Sequence, residues 1–526
     1  MLKESSACQS IKGNYYYSSI KITPPTNIYV NITKVGDLPV VKRAKVRNKN
    51  FAKTKIVCTI GPKSEDEATI EEMIITGMDV ARLNFSHGTH EWHRKVFERI
   101  RTLSDEIAIL FDLQGPKIRL GEIEGQITLT RGQDIILTTE DILGKENRFS
   151  VSLKTLPETL KKNDLIYIND GIISLRVLKV EETEIFCRVL SSGIISSKKG
   201  INIPNVELNV PCLTTKDKND LAFALSLEPD YLALSFVRIA EDVKALRALI
   251  NEEGLTIPII SKIEHAFAVR NFDAILKETD AIMVARGDLG IETPVEKLPL
   301  LQKELIRKCN FAGKPVITAT QMLESMTNNP RPTRAEVNDV ANAIFDGTDA
   351  VMLSAETAIG KYPIHAIRLM NKIALNVEKE LHWRDYPKQK IPKEELVAEN
   401  LATAAGMLVE KMPVKGIIAF TEGGFSARLI AKHRPSARIF VATPSKKVVR
   451  ELGLIWGCLP LLVKEYQNID QMVVETVNYA KNIGYFKDDD IIIIVSGSRL
   501  SPGKTNLLRA YTVGDIPSPE EFNAIL

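Results

Sequence analysis

Lys262, Glu264 and Asp288, with Gly287 between the last two, are the residues whose types and order most directly suggest chemistry. The apolar run Pro258-Ile259-Ile260 ends in Lys262-Ile263-Glu264. An amphipathic stretch with Phe272, Ile275 and Leu276 at helical spacing follows, and a second apolar run, 281–285, ends in Arg286-Gly287-Asp288. Strand, helix, strand is the reading, with ionisable groups at the carboxyl end of each strand, where the chemistry of parallel α/β sheets and barrels sits. Lys262 offers a cation, and Glu264 and Asp288 offer two hard oxygen ligands for a divalent metal. Gly287 leaves its backbone N–H open to the close approach of an anion. The competing reading is a salt bridge on a barrel rim.

The elements that must position these groups recur at regular intervals. Apolar strands are expected at 55–60, 79–83, 107–111, 231–234, 257–260, 281–285, 315–317 and 350–353, separated by helical stretches. That is the count of an α/β (β/α)₈ TIM barrel. Each run ends in small or polar residues: Gly61, Asn84 and Ser86, Asp112, Ser235, Lys262 and Glu264, Asp288, Thr318 and Thr320, Ser354 and Glu356. The interval from Asp112 to Ser235 is far too long for one βα unit. Its excess holds short β-like runs punctuated by Gly and Asp, read as an all-β lid domain over 121–211. The barrel then comprises 51–120 and 212–395, and Lys198-Lys199 ahead of 200–204 forms a basic edge toward the cleft. Over 396–526 a helix and further strands make a C-terminal α/β domain. Its loop Thr421-Glu422-Gly423-Gly424-Phe425-Ser426 opens a helix, as either a phosphate cradle or an ordinary turn. Residues 1–50, with a basic run over 42–49, read as an N-terminal extension.

The chain has 526 residues and a formal net charge of +3 at pH 7, which argues for neither nucleic acid nor an anionic membrane as partner. No apolar run approaches the ~18 residues of a membrane span. Six scattered cysteines without a C-x-x-C pair suggest reduced thiols in a cytosol-like compartment. His87, His90 and His93 follow the second strand, but helical spacing does not aim three imidazoles at one zinc, so one hydrogen-bonding and two surface histidines are expected. The run from Gly497 to Thr505 has Ser498 where a P-loop needs glycine, and no nucleotide P-loop is assigned. The stretch 335–345 reads as a helix capped by Thr333 and Glu336, its small and apolar faces suited to a partner subunit.

From Lys53 to its end the chain resembles the pyruvate kinase family. The resemblance is carried by TKIVCTIGP (54–62), VARLNFSHG (80–88), SKIE (261–264), MVARGDLG (283–290), ATQMLESM (319–326) and RPTRAEV (331–337). It implies phosphoryl transfer from phosphoenolpyruvate to ADP, giving pyruvate and ATP, in a cytoplasmic homotetramer. It implies Glu264 and Asp288 as ligands of Mg²⁺, with Mn²⁺ as an alternative. Lys262 lies against the transferring phosphoryl and Arg82 holds the phosphate. Gly287, Asp288 and Thr320 bind substrate, and Ser354 is a candidate in protonating the enolate. Asn84, Phe85, Ser86, His87, Arg119 and Lys199 resemble nucleotide contacts, and Asp170 an acidic lid residue.

Two departures from the family pattern carry expectations of their own. The family's K⁺ positions match Asn84, Ser86, Asp112 and the carbonyl of Leu113. Potassium-dependent members usually read GPEIR shortly after that aspartate, where this chain has Gly115-Pro116-Lys117-Ile118-Arg119. A lysine ammonium supplies the charge of the ion, so K⁺ is not expected to be required. In the loop 421–426, Glu422 and Phe425 replace more usual basic and polar residues. Activation by fructose 1,6-bisphosphate is therefore not expected, though Ser426, Arg499 and Lys504 could gather another anion. Two alternatives remain open: a non-catalytic binding protein on a retired kinase scaffold, and a lyase acting on phosphoenolpyruvate or pyruvate. The intact Lys262, Glu264, Asp288 and Thr320 weigh against the first, the lid and Lys199 against the second.

Overall fold

The computed structural model describes residues 51–204, 206, 210–381, 393, 395–465, 469–497 and 505–525. The N-terminal extension, Arg499 and Lys504 lie outside them.

Eight parallel strands close a barrel: β1 (Lys55–Thr59), β2 (Val80–Asn84), β3 (Ala108–Asp112), β4 (Tyr231–Leu234), β5 (Ile259–Ile263), β6 (Ala281–Ala285), β7 (Val316–Ala319) and β8 (Ala350–Leu353). Each neighbours the next and β8 returns to β1. All eight expected strands are present. They read as near-continuous apolar runs because both faces are covered: one by the helices, through Ile56, Leu83, Phe111, Ile259 and Ile263, the other by the barrel's own interior, through Val57, Val80, Leu110, Ile260, Met283, Ile317 and Met352. Side chains alternate between the two faces with period two. Inward positions are therefore apolar low in the barrel and ionisable at the carboxyl ends, Val80 giving way to Arg82, Leu110 to Asp112 and Ile260 to Lys262. The interior cluster also takes in Leu454, fully buried, from the 3-10 turn Leu452–Leu454 of the C-terminal domain.

Between β3 and β4 lies the lid. A seven-stranded sheet runs in the order Ile118–Arg119, Gly200–Asn202, Leu165–Ile168, Ile173–Glu181, Glu184–Val189, Asp134–Thr138 and Arg148–Ser150, and Gly193–Ile195 pairs separately with Ile127–Leu129. Its core is its own, built on Leu129, Phe149, Ile166, Leu175 and Ile185. The sheet begins at Ile118, which puts Lys117 at its entry.

The C-terminal domain is a five-stranded sheet: β9 (Val414–Phe420), β10 (Arg438–Thr443), β11 (Cys458–Leu462), β12 (Ile491–Gly497) and β13 (Thr505–Thr512), in the order β11-β10-β9-β12-β13. Only β13 runs antiparallel to its neighbour. Apolar clusters cover both faces. Arg434 ties this domain to the barrel: it is buried, pairs with Asp349 at 3.0 Å and donates to the Gly347 carbonyl at 2.7 Å.

Candidate active site

At the carboxyl end of the barrel the inward alternation delivers Arg82, Asp112, Ser235, Lys262 and Glu264 to one place. Lys262 Nζ lies 2.9 Å from Glu264 Oε1 and 3.3 Å from Asp112 Oδ1, and donates to Ser235 Oγ at 2.7 Å. Arg82 grips the other oxygen of Asp112 through Nε (2.7 Å) and Nη2 (2.6 Å), and its Nη1 donates to Thr59 Oγ1 at 2.9 Å. Burial works against every charge here, and the partners decide each outcome. Burial opposes the Lys262 ammonium, yet Asp112 and Glu264 hold its pKa above the ordinary lysine value. Burial likewise opposes the Asp112 carboxylate, but Lys262 and Arg82 bring it below the usual range. Glu264 goes the other way: burial, reinforced by the charge of Asp288, raises it despite Lys262. Buried Glu264 and half-buried Asp288 offer two carboxylates, a donor set suited to a hard divalent cation. Among the described residues no group of three or more His, Cys, Asp or Glu side chains has metal-site geometry.

Asp288 stands on the short helix Arg286–Glu292, which follows β6 directly. Its Oδ1 lies 3.2 Å from Lys117 Nζ, so the ammonium from the lid's entry rests against it. At the end of the same helix, buried Glu292 accepts from Asn202 Nδ2 of the lid at 3.2 Å, and burial pushes its carboxyl up to about 7. The lid turn Asn169-Asp170-Gly171 reaches this helix too, for a Cβ placed on Gly171 would sit 3.7 Å from Ile291. The lid and the helix bearing Asp288 thus meet at three points.

Gly287 N–H donates to Thr320 Oγ1 at 2.8 Å. Thr320 and Gln321 both have left-handed backbones, φ 67° and 54°, which costs L-residues about 1–2 kcal/mol each. Ser354, after β8, has a buried Oγ with no hydrogen-bond partner among the described residues. Its N–H donates to Glu356 Oε2 at 2.7 Å, and Glu356 Oε1 accepts from Leu323 N–H at 3.0 Å. One buried carboxylate, its pKa raised by that burial, therefore ties the loop after β7 to the loop after β8.

The remaining expected residues are dispersed. Asn84 Oδ1 accepts the Ser86 N–H at 3.0 Å, His87 is exposed, and the Leu113 carbonyl accepts from Ser235 Oγ at 2.7 Å. Phe85 is tied into the barrel wall. Its ring is buried against Phe111, its N–H goes to the Asp112 carbonyl, and its own carbonyl takes Lys216 Nζ at 2.7 Å. Arg119 donates to the Lys198 carbonyl at 3.0 Å, and Lys199 is half-buried just ahead of the strand Gly200–Asn202. Of the three histidines only His87 is fully at the surface. His90 pairs with Asp220 at 2.7 Å, and His93 is buried on the His87 carbonyl at 2.9 Å, burial bringing its pKa down to about 4. In the loop 421–426, Glu422 is exposed, while Ser426 is buried with its hydroxyl in contact with that of Thr505. Thr59, Glu292 and Glu356 were not singled out by sequence for these contacts. The inward alternation of β1 marks Thr59 and the polar end of the eighth strand marks Glu356, whereas nothing local marks Glu292.

Residues 51–367 match the family model for the barrel domain of pyruvate kinase, and residues 399–511 that for its alpha/beta domain. A pyruvate kinase of Staphylococcus aureus is 43% identical over 475 residues, spanning 88% of this chain and 81% of its own length. One of Sporosarcina psychrophila is 44% identical over 474 residues, with the same shares. The crystal structure of a pyruvate kinase from Cryptosporidium parvum superposes with a TM-score of 0.82 at 40% identity, covering 89% of this chain and 96% of its own.

Proposed function

The chain belongs to the pyruvate kinase family, and on that premise we propose that its barrel mouth transfers the phosphoryl group of phosphoenolpyruvate to ADP, giving pyruvate and ATP in the last step of glycolysis. The observation that carries this reading is the buried Lys262 ammonium, kept charged by Asp112 and Glu264 beside a further carboxylate, Asp288. A preorganised cation in a site closed to water stabilises the charge on a transferring phosphoryl group, a term commonly of a few kcal/mol.

Glu264 and Asp288 are the residues that would hold the divalent cation. Two protein carboxylates suit Mg²⁺, which keeps its other positions for water and substrate oxygens; Mn²⁺ is the alternative. When bound, the ion neutralises the negative charge gathered by the substrate carboxylate and phosphate. Arg82 is held by Asp112 and Thr59 with N–H groups remaining on both terminal nitrogens, and these take the phosphate. The Gly287 backbone and the Thr320 hydroxyl orient the substrate. The Ser354 hydroxyl, buried and without a hydrogen-bond partner among the described residues, belongs to the path by which the enolate receives its proton. Asn84, Phe85, Ser86, His87, Arg119 and Lys199 take the nucleotide, with Asp170 approaching from the lid.

Potassium is not required on this reading. Lys117 brings an ammonium to Asp288, and the groups that match the family's K⁺ positions already have internal partners: Ser86 N–H on Asn84, Arg82 and Lys262 on Asp112, Ser235 on Leu113. Fructose 1,6-bisphosphate is not an activator, because Glu422 places a negative charge where its phosphate would lie. The enzyme works in the cytoplasm as a homotetramer. Among the described residues no helix is long and apolar enough to cross a membrane.

The test couples pyruvate formation to lactate dehydrogenase, with phosphoenolpyruvate, ADP and Mg²⁺, with and without K⁺ in a buffer of bulky organic cations. ADP-dependent turnover at equal rates is the expected result. Turnover only with K⁺ would keep the kinase and remove the role given to Lys117. No turnover in either buffer would return the chain to the binding-protein reading.

A further inference from the structure

We propose that Arg286 is a positioning residue whose guanidinium fork holds the left-handed Thr320–Gln321 turn and thereby sets where the Thr320 hydroxyl stands. The inference rests on the reading of Thr320 as a substrate-side group. Arg286 precedes Gly287 and Asp288, yet its side chain turns away from them into the protein and is 6% exposed. Its Nη2 donates to the Thr320 carbonyl at 2.6 Å and to the Gln321 carbonyl at 3.2 Å, and its Nε to the Ala319 carbonyl at 3.4 Å. One side chain thus gathers three consecutive carbonyls, the last two from residues with φ 67° and 54°. Neither residue is glycine, so the turn has no conformational preference of its own to hold it. Asp339, on the helix Arg334–Asp346, accepts from Nη1 at 2.8 Å and Gln302 accepts from it at 3.3 Å, fixing the plane of the fork from behind.

The consequence reaches the site through a short path. Ala285 and Ala319 are in register across β6 and β7, so Arg286 and Thr320 leave adjacent strands side by side. Arg286 fixes the carbonyls, the backbone conformation fixes the direction of the Thr320 side chain, and Gly287 N–H then meets Thr320 Oγ1 at 2.8 Å. A lysine carries the same charge but lacks the planar fork that spans successive carbonyls. Charge alone therefore does not satisfy the position.

Full-length Arg286→Lys, Gln321→Gly and the double variant test this by steady-state kinetics, with kcat and each KM separated. A second readout is the Mg²⁺-dependent exchange of pyruvate methyl protons for deuterium, followed by NMR. Arg286→Lys is expected to lose about 10- to 100-fold in kcat and in exchange, with KM for ADP nearly unchanged. Gln321 is exposed, so Gln321→Gly alone is expected to behave as the parent. In the double variant, glycine adopts the positive φ without the clamp and is expected to restore about tenfold of the loss. Unaltered kcat in Arg286→Lys would overturn the proposal, as would a double variant no faster than Arg286→Lys. Should Arg286→Lys fail to melt cooperatively, Gln321→Val strains the same turn with the clamp intact. Slower exchange is expected there, and parental kinetics would overturn the proposal. Thr320→Val separates the premise: full turnover would overturn the substrate-side reading of Thr320, whereas loss there without glycine rescue in the double variant would overturn the clamp alone.

Discussion

Lys117 Nζ stands 3.2 Å from Asp288 Oδ1, so a cation from the entry of the lid faces a carboxylate from the end of β6. The two residues are far apart in sequence, one just ahead of the lid sheet and the other on the short helix after β6. The ammonium sits in the field of the carboxylates that would hold a divalent ion, where one unit of charge a few ångströms away is worth about a few kcal/mol at protein-like dielectric.

Replacing that charge is expected to create an ion requirement. Lys117→Glu should turn over slowly in a buffer of bulky organic cations and recover about tenfold or more when K⁺ is added, while the parent responds less than about twofold. Initial rates across a K⁺ titration check this. A Lys117→Glu enzyme indifferent to K⁺ would separate Lys117 from monovalent-cation chemistry.

Lys262→Met removes the ammonium between Asp112 and Glu264 and leaves two buried carboxylates without their partner. Turnover is expected to fall about 10²- to 10³-fold, the loss typical of one preorganised electrostatic donor. Binding of Mn²⁺ to the substrate-free protein, followed by electron paramagnetic resonance, is expected to persist or tighten because a competing cation has gone. Abolished Mn²⁺ binding with a native melting curve would show that Lys262 organises the ligands instead.

Ser354→Ala removes a buried hydroxyl that has no hydrogen-bond partner among the described residues. An unsatisfied buried polar group contributes nothing to stability and can cost about 1 kcal/mol or more. Thermal stability is therefore expected to hold or rise, while exchange of pyruvate methyl protons falls at least about tenfold. Unchanged exchange would take Ser354 off the proton path.

Acid should weaken the fold through His93. Burial brings its pKa down to about 4, whereas an unfolded histidine titrates near 6.5. Between those values the unfolded chain binds the extra proton, so stability falls as pH falls. The contribution is complete above about pH 6.5 and is lost progressively toward pH 4, by about 3 kcal/mol at most. Urea melts at pH 7 and 4.5, for the parent and His93→Gln, read the effect as a smaller pH response in the variant. Equal responses would place the acid sensitivity elsewhere.

Much of the site is legible in the chain because a barrel strand exposes its chemistry through alternation. Val80 and Arg82, Leu110 and Asp112, Ile260 and Lys262 lie two residues apart, so an apolar interior and an ionisable rim are written on the same face. What is not legible depends on partners distant in sequence or on backbone conformations without a residue signature. Nothing near Lys117 says that it meets Asp288. Asn202 and Glu292 meet only because the lid folds back over the short helix. Thr320 and Gln321 carry no glycine to announce positive φ, and the arginine that holds them belongs to the neighbouring strand. The stacking of the Phe85 ring on Phe111 is likewise written in no local pattern.

Leu454 completes the barrel interior from a domain that the ribosome makes after the barrel strands. Until Leu454 has emerged, the nascent barrel has its eight strands but lacks one of the side chains that fill its interior. Synthesis order and folding order are thereby set against each other: the catalytic half must wait, unfinished, for the half that follows. The same dependence forbids treating the C-terminal domain as an exchangeable cassette, because any replacement has to bring its own stopper of the right size.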